Sequence, residues 1–337
     1  MRGIRRGLWG LLLPAMPALA QVPVAPEYLN PELRAIGTRL LQASATQPVA
    51  SPLRRPSRPA DLPPGVEEET VPAKAGHPPV TVYIVNRSAQ QSAQRGAILY
   101  IHGGGFMAGS ARGSVRAVLG LAARLNCVVV SVEYRLAPET RFPGALEDNY
   151  AALKWLHDNA GSLGVDPKRI AVMGESAGGG HAAMLTIAAR DRKEVPIAFQ
   201  ALVYPMLDDR TGSTHKVDRT IGTLVWRPQD NRAGWTALLG KPAGSRTVPP
   251  GSVPAREENL RGLPPTFIGV GSIDLFAEED IEFARRLVGQ GVPTELLVVP
   301  GAFHGFQTMV PQAAVSRQFN GALEAALMRA VGSPTTP

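Results

Sequence analysis

The pentapeptide Gly174-Glu175-Ser176-Ala177-Gly178 follows the apolar run Arg169-Ile170-Ala171-Val172-Met173 and opens an alanine-rich stretch. Strand, sharp turn and helix with a serine at the apex is the form of a nucleophile elbow, in which small residues let the flanking backbones approach and leave the hydroxyl projecting above a sheet. The helix expected from Ala182 to Arg190 points its positive end at the reacting centre. The chemistry this predicts is acyl transfer. That requires a base for the serine proton, an acid to orient the base, and donors aimed at the developing oxyanion. A bare G-x-S-x-G recurs by chance, so the rest of the chain decides.

Each partner has a candidate. His102-Gly103-Gly104-Gly105-Phe106 directly follows the apolar run Ala97 to Ile101. Three glycines let backbone N–H groups reach a ligand without Cβ interference, so Gly104 and Gly105, with the N–H of Ala177, can form an oxyanion hole. A phosphate-cradling loop is the competing reading, but no lysine follows at P-loop spacing and no G-x-G-x-x-G is present. Of six histidines, only His304 lies just beyond the last expected strand, which makes it the candidate base. His77, His157 and His215 read as structural or exposed, His181 as packing or exposed, and His102 as support for the glycine loop. Asp274 follows the run Thr266 to Val270 and the turn Gly271-Ser272, which favours it as the acid over Asp208, Asp209 and Glu278. The order serine, acid, histidine is a known triad order for a wound α/β sheet.

The elements that must position these groups alternate along the chain. Val80 to Val85, Ala97 to Ile101, Cys127 to Val132, Ile170 to Met173, Ala198 to Tyr204, Thr266 to Val270 and Thr294 to Val299 read as strands. Amphipathic stretches fit between most of them: Leu146, Tyr150, Leu153 and Leu156 share one helix face, as do Ile281, Ala284, Leu287 and Val288. Such alternation implies a mostly parallel sheet covered on both faces. Between Met206 and Pro265 the alternation stops, and Trp226, Trp235, Leu238 and Leu239 lie among prolines and glycines. An insertion at that place lies over the carboxyl ends of the strands and reads as a lid or cap. The proline-dense stretch Gln21 to Pro79, with Leu33, Ile36, Leu40 and Leu41 at helical spacing, reads as a peripheral segment.

Composition narrows the class further. A hydrophobic content of 44% over 337 residues excludes disorder throughout. Arg2, Arg5 and Arg6 precede the apolar run Leu8 to Leu13 and then Ala18-Leu19-Ala20, the pattern of a cleaved export signal. Pro14 and Pro17 interrupt the apolar stretch, which falls short of the roughly 20 residues that span a bilayer, so stable membrane insertion is not expected. The mature protein is expected in the periplasm or outside the cell, with Sec and Tat export both open. Of the net charge of +7, three positive charges sit in that leader. Arg54, Arg55 and Arg58 cluster among prolines and read as a solvated linker, so no nucleic-acid partner is expected. The single cysteine, Cys127, begins a β-branched run and reads as core.

Taken together, the residues resemble the bacterial hormone-sensitive-lipase-like esterases, family IV of the α/β-hydrolase superfamily, from about Val66 to Ala330. The marks are HGGGF at His102 to Phe106, YRLAPE at Tyr134 to Glu139, FPGALED at Phe142 to Asp148, GESAGG at Gly174 to Gly179, LVYPMLDD at Leu202 to Asp209, and His304-Gly305-Phe306. The resemblance implies an α/β-hydrolase fold: a mostly parallel central sheet, helices on both faces and a helical cap. It implies Ser176, Asp274 and His304 as the triad, and Gly104, Gly105 and Ala177 as oxyanion donors. The corresponding division is a leader over 1–20, a proline-rich segment over 21–79 contributing to the cap, core over 80–207, a cap insertion over 208–255, and core over 256–333. Two departures stand out: Asp274-Leu275-Phe276 replaces the family's usual D-P-L, and Glu175 stands where Asp or Thr is common. The expected activity is hydrolysis of small-molecule esters of short to medium acyl chains, without metal or cofactor. Amidase, peptidase or lactonase activity and non-catalytic ligand binding remain alternatives, and a homodimer stays open.

Overall fold

The aliphatic runs and the amphipathic stretches between them form, in the computed structural model, one eight-stranded sheet flanked by helices. The structure describes residues 24–46, 61–74, 76–87 and 94–332. The expected leader over 1–20 and the Arg54, Arg55 and Arg58 cluster lie outside the described residues. The strands are β1 (Val66–Val71), β2 (Val80–Val85), β3 (Arg95–Ile101), β4 (Val128–Glu133), β5 (Val165–Glu175), β6 (Phe199–Val203), β7 (Thr266–Gly271) and β8 (Thr294–Val299). They lie in the order β1-β2-β4-β3-β5-β6-β7-β8. The first two pairings, β1 with β2 and β2 with β4, are antiparallel; all others are parallel.

Period-two alternation decides which side chain enters which layer. In β3, Leu99 and Ile101 enter the cluster that also holds Leu153 and Leu185, whereas Ile98 and Tyr100 enter the one with Val118 and Phe319. Helices α3 (Gly144–Asp158) and α4 (Ala177–Arg192) cover the first face, and α2 (Ala111–Arg124) and α8 (Ala314–Val331) the second. All seven β3 residues are buried, which is why Ala97 to Ile101 reads as an unbroken apolar run rather than as an alternation. The chain leaves β3 for β4 on one side and returns to β5 on the other, so the winding reverses around β3. Ligands bind outside the carboxyl ends of strands at such a switch point, and the glycine loop and Ser176 follow β3 and β5 there.

Three features differ from the sequence reading. Segment 21–79 is not wholly peripheral, because Val66–Val71 adds an edge strand and the sheet begins before residue 80. Its three consecutive glutamates mask the strand; at an edge, charged side chains face solvent at no cost and discourage further pairing. Helix α4 begins at Ala177, five residues before the apolar pattern suggested, since the elbow glycines are themselves helical. Within 208–255 the structure contains a single α-helix, α5 (Pro228–Leu239), so the insertion is mostly loop. The turn before the N-terminal helix α1 (Arg34–Thr46) docks on the loop that precedes His304: Asn30 N–H donates to Gly301 O at 3.0 Å, and Leu29 and Leu33 are fully buried.

Candidate active site

Ser176 occupies φ 57°, ψ −124°, a conformation a residue with a side chain rarely adopts. Close packing holds it there. A Cβ on Gly174 would lie 2.2 Å from Gly178 O, and one on Gly178 would lie 2.1 Å from Ile101 O, so glycine at both places is a steric requirement. Ser176 N–H donates to Val203 O at 2.9 Å, and Ser176 O accepts from Gly180 N at 3.1 Å and Met206 N at 3.0 Å. These bonds lock the apex between β6 and the start of α4.

The candidate base and acid arrive on two loops that clasp each other. Ser272 N–H donates to Val299 O at 2.9 Å and Ile273 N–H to Ala302 O at 3.2 Å. A Cβ on Gly271 would strike Ala302 O at 2.1 Å. That close approach brings His304 Nδ1 to 2.8 Å from Asp274 Oδ2 and His304 Nε2 to 2.9 Å from Ser176 Oγ. A carboxylate only accepts, so Nδ1 carries the proton and Nε2 is left free to receive one from serine. Asp274 is 1% exposed, and its Oδ1 accepts from Phe276 N at 3.1 Å. The imidazole lies between Tyr204, with ring centroids 4.5 Å apart, and Phe276 at 5.4 Å. Phe276 is one of the two departures from the D-P-L pattern, and here it packs on the base.

The glycine loop lies beside the nucleophile: a Cβ on Gly103 would be 3.3 Å from Ser176 Cβ. Gly104 and Gly105 have φ of +131° and +60°. Gly104 O accepts from Met107 and Ala108 N–H, which closes the loop on itself. Among the turn and cap bonds of the described residues, neither the Gly104 nor the Gly105 N–H donates to a backbone carbonyl. The insertion forms the outer wall. Trp226 lies over Gly105, whose Cβ would meet the indole Cη2 at 2.2 Å, and Gly234 of α5 packs on Gly105 O. A tight turn presents the indole: Trp226 N–H donates to Leu224 O at 2.7 Å around Val225, whose φ is +63°.

The other candidates are engaged elsewhere. Asp208 pairs with Arg210 at 2.8 Å, Asp209 with Arg256 at 2.7 Å, and Glu278 faces His215 at 3.5 Å. His102 supports the glycine loop: it stacks on Tyr134, with centroids 4.3 Å apart, and its Nδ1 lies 2.8 Å from Gly103 O. His181 is packing, with its ring against Phe106 and Tyr134. Burial lowers the pKa of His102 to about 4 and of His181 to about 3, so both are neutral. Cys127 is buried and its thiol is pushed up to about 12, chiefly by desolvation. A cleft of about 1190 Å³ between the insertion and α6 (Ala277–Gly289) reaches Ser272 and Leu275, but neither Ser176 nor His304 lines it. No group of three or more His, Cys, Asp or Glu side chains able to hold a metal ion occurs among the described residues. Sequence reading did not place Tyr204, Phe276 or Gln307 at the site and gave Trp226 only as part of the insertion read as a lid, because aromatic and amide side chains near a site carry no spacing signal.

Comparison with known proteins agrees with this fold. A family profile described as alpha/beta hydrolase fold matches residues 98–308. The chain is 37% identical over 240 residues to carboxylesterase NlhH of Mycobacterium tuberculosis, covering 69% of this chain and 73% of that one. It is 31% identical over 266 residues to ethyl acetate hydrolase of Pseudomonas putida, covering 74% and 78%. Among solved structures, a bacterial heroin esterase superposes with a TM-score of 0.78 at 38% identity, covering 91% of this chain and 99% of that one. Fold, motif order and relatives agree, and the chain belongs to the hormone-sensitive-lipase-like family of the α/β-hydrolase superfamily.

Proposed function

We propose that the protein is a serine carboxylesterase acting on small esters of short to medium acyl chains. The observation that carries this reading is the unbroken relay from Ser176 through His304 to Asp274, at 2.9 and 2.8 Å, beside a glycine loop whose Gly104 and Gly105 N–H groups donate to no backbone carbonyl among the turn and cap bonds of the described residues. Ser176 Oγ attacks the ester carbonyl while His304 Nε2 takes its proton. The Gly104, Gly105 and Ala177 N–H groups receive the oxyanion. The imidazolium, oriented by Asp274, protonates the leaving alcohol, and water then releases the acyl group by the same steps. Relatives named carboxylesterase, esterase and ethyl acetate hydrolase support the substrate class.

Two features favour small substrates over a lipid interface. Trp226 closes over Gly105, and the outward residues of α5 are Arg232, Ala233 and Thr236, which offer no apolar face to a membrane. Export through the leader over 1–20 completes the proposal; N-terminal sequencing of the secreted chain tests it. The test of function is hydrolysis of p-nitrophenyl esters from acetate to palmitate, with Ser176→Ala as control. Turnover peaking at short chains and lost by orders of magnitude in the variant is expected. No turnover in a folded wild type, or equal turnover in the variant, overturns the reading.

A further inference from the structure

A second polar chain runs behind the base. Tyr204, just past β6, is 3% exposed and lies at φ +36°, held by its N–H on Gly269 O at 2.7 Å. Its hydroxyl accepts from Gln307 Nε2 at 2.7 Å, and since that amide nitrogen can only donate, the Tyr204 proton is free to point to Glu175 Oε2 at 3.3 Å. Gln307 is buried, on the short helix α7 (Phe306–Met309), three residues after His304. Glu175 directly precedes the nucleophile. The chain Gln307 to Tyr204 to Glu175 therefore ties the loop bearing the base to the elbow bearing the serine, and the Tyr204 ring packs on the imidazole between them.

We propose that Glu175 is a positioning residue of the esterase, whose charge, held in place by Tyr204, favours the imidazolium form of His304 as Ser176 attacks. The proposal rests on the esterase reading above. Attack converts a neutral imidazole into a cation, and a nearby fixed negative charge lowers the energy of that state. Asp274 supplies one such charge by direct contact at Nδ1; Glu175 supplies a second without contact. The groups facing these side chains are few. Asp274, Tyr204 and Glu175 face His304, Asp280 of α6 faces Asp274, and Tyr100 of β3 faces Glu175. Burial raises both tyrosines well above their ordinary value, so they remain neutral donors. Burial raises the Glu175 carboxyl above its ordinary value, and the Tyr204 hydrogen bond and His304 act against that rise. A shorter side chain at 175 would give up the Tyr204 contact, which accounts for glutamate there.

The test is the pH profile of kcat and kcat/KM for p-nitrophenyl acetate with the full protein. Glu175→Gln, which keeps the shape and removes the charge, should lose kcat by about tenfold (~1.4 kcal/mol) with KM changed less than twofold. Its acid limb should move to lower pH. Tyr204→Phe, which keeps the ring on His304, should lose kcat in the same direction, and Glu175→Asp should restore the acid limb without the full kcat. An unmoved acid limb in Glu175→Gln, with or without loss of kcat, reduces the residue to packing and overturns the proposal. If Glu175→Gln does not fold, the Tyr204→Phe profile decides by the same criterion. Wild-type turnover and its loss in Ser176→Ala test the esterase reading itself, whereas variant-to-wild-type ratios test this one, so the two fail separately.

Discussion

Replacing Gly105 with alanine places a methyl 2.2 Å from Cη2 of Trp226 and 3.0 Å from both Cζ2 and Cζ3. Carbon atoms need about 3.5 Å, so either the indole or the loop must give way by more than ~1 Å. The indole is the better anchored of the two: Trp226, in the insertion, is 5% exposed and packed against the core, and its Nε1 donates to Asn231 Oδ1 at 3.3 Å. The loop moves instead, and φ +60° adds about 1–2 kcal/mol of strain for a residue with a Cβ. A displacement near 1 Å at a reacting centre costs about 100-fold, and loss of one oxyanion donor about 100- to 1000-fold in kcat. Gly105→Ala should therefore reduce kcat for p-nitrophenyl acetate by ~100- to 1000-fold while KM moves only a few-fold. Gly161→Ala is the control, because its Cβ meets nothing within 4 Å, and it should match the wild type. Adding Trp226→Leu to Gly105→Ala removes the clashing ring atoms and should recover part of the loss. Wild-type kcat in Gly105→Ala, or no recovery in the double variant, refutes the steric argument.

Asp274→Asn should leave the fold intact and cut kcat by up to ~10,000-fold, since an amide in place of the carboxylate favours the wrong imidazole tautomer; a loss under tenfold would move the acid elsewhere. The two buried histidines make stability pH-dependent. Their folded values of about 4 for His102 and about 3 for His181 lie below an unfolded value near 6.5. Their contribution is complete above that unfolded value and is lost as the pH falls from there toward about 4, where the unfolded chain binds protons that the folded chain does not. Tm measured from pH 8 to pH 4 should fall across that window, and His181→Leu should fall less steeply; parallel slopes would show that His181 does not titrate in this way.

Much of the site was legible because its residues lie where apolar runs end. Ser176 follows Ile170 to Met173, the glycine loop follows Ala97 to Ile101, and Asp274 and His304 follow the last two strands. A parallel sheet puts every such carboxyl end on one edge, so local signals add up to a constellation. Other parts left no such trace. The edge strand Val66–Val71 hides behind three glutamates, and helix α4 starts within glycines that local propensity places outside helices. Neither the docking of Asn30 on Gly301 nor the lid of Trp226 on Gly105 has any spacing to read.

By itself the sequence pointed to candidate residues for the chemistry, the order in which they come, and the sheet that gathers them, because strand, elbow and glycine loop are local facts of backbone sterics and apolar patterning. Only the tertiary structure decided the distances that make them a relay, which acid among Asp208, Asp209, Asp274 and Glu278 faces His304, and which side chains wall and support the site. Those depend on contacts between residues far apart in the chain, such as Asn30 Nδ2 on Pro300 O, 270 positions away. Packing of that range is set by the closure of the whole fold, and no local window of sequence contains it.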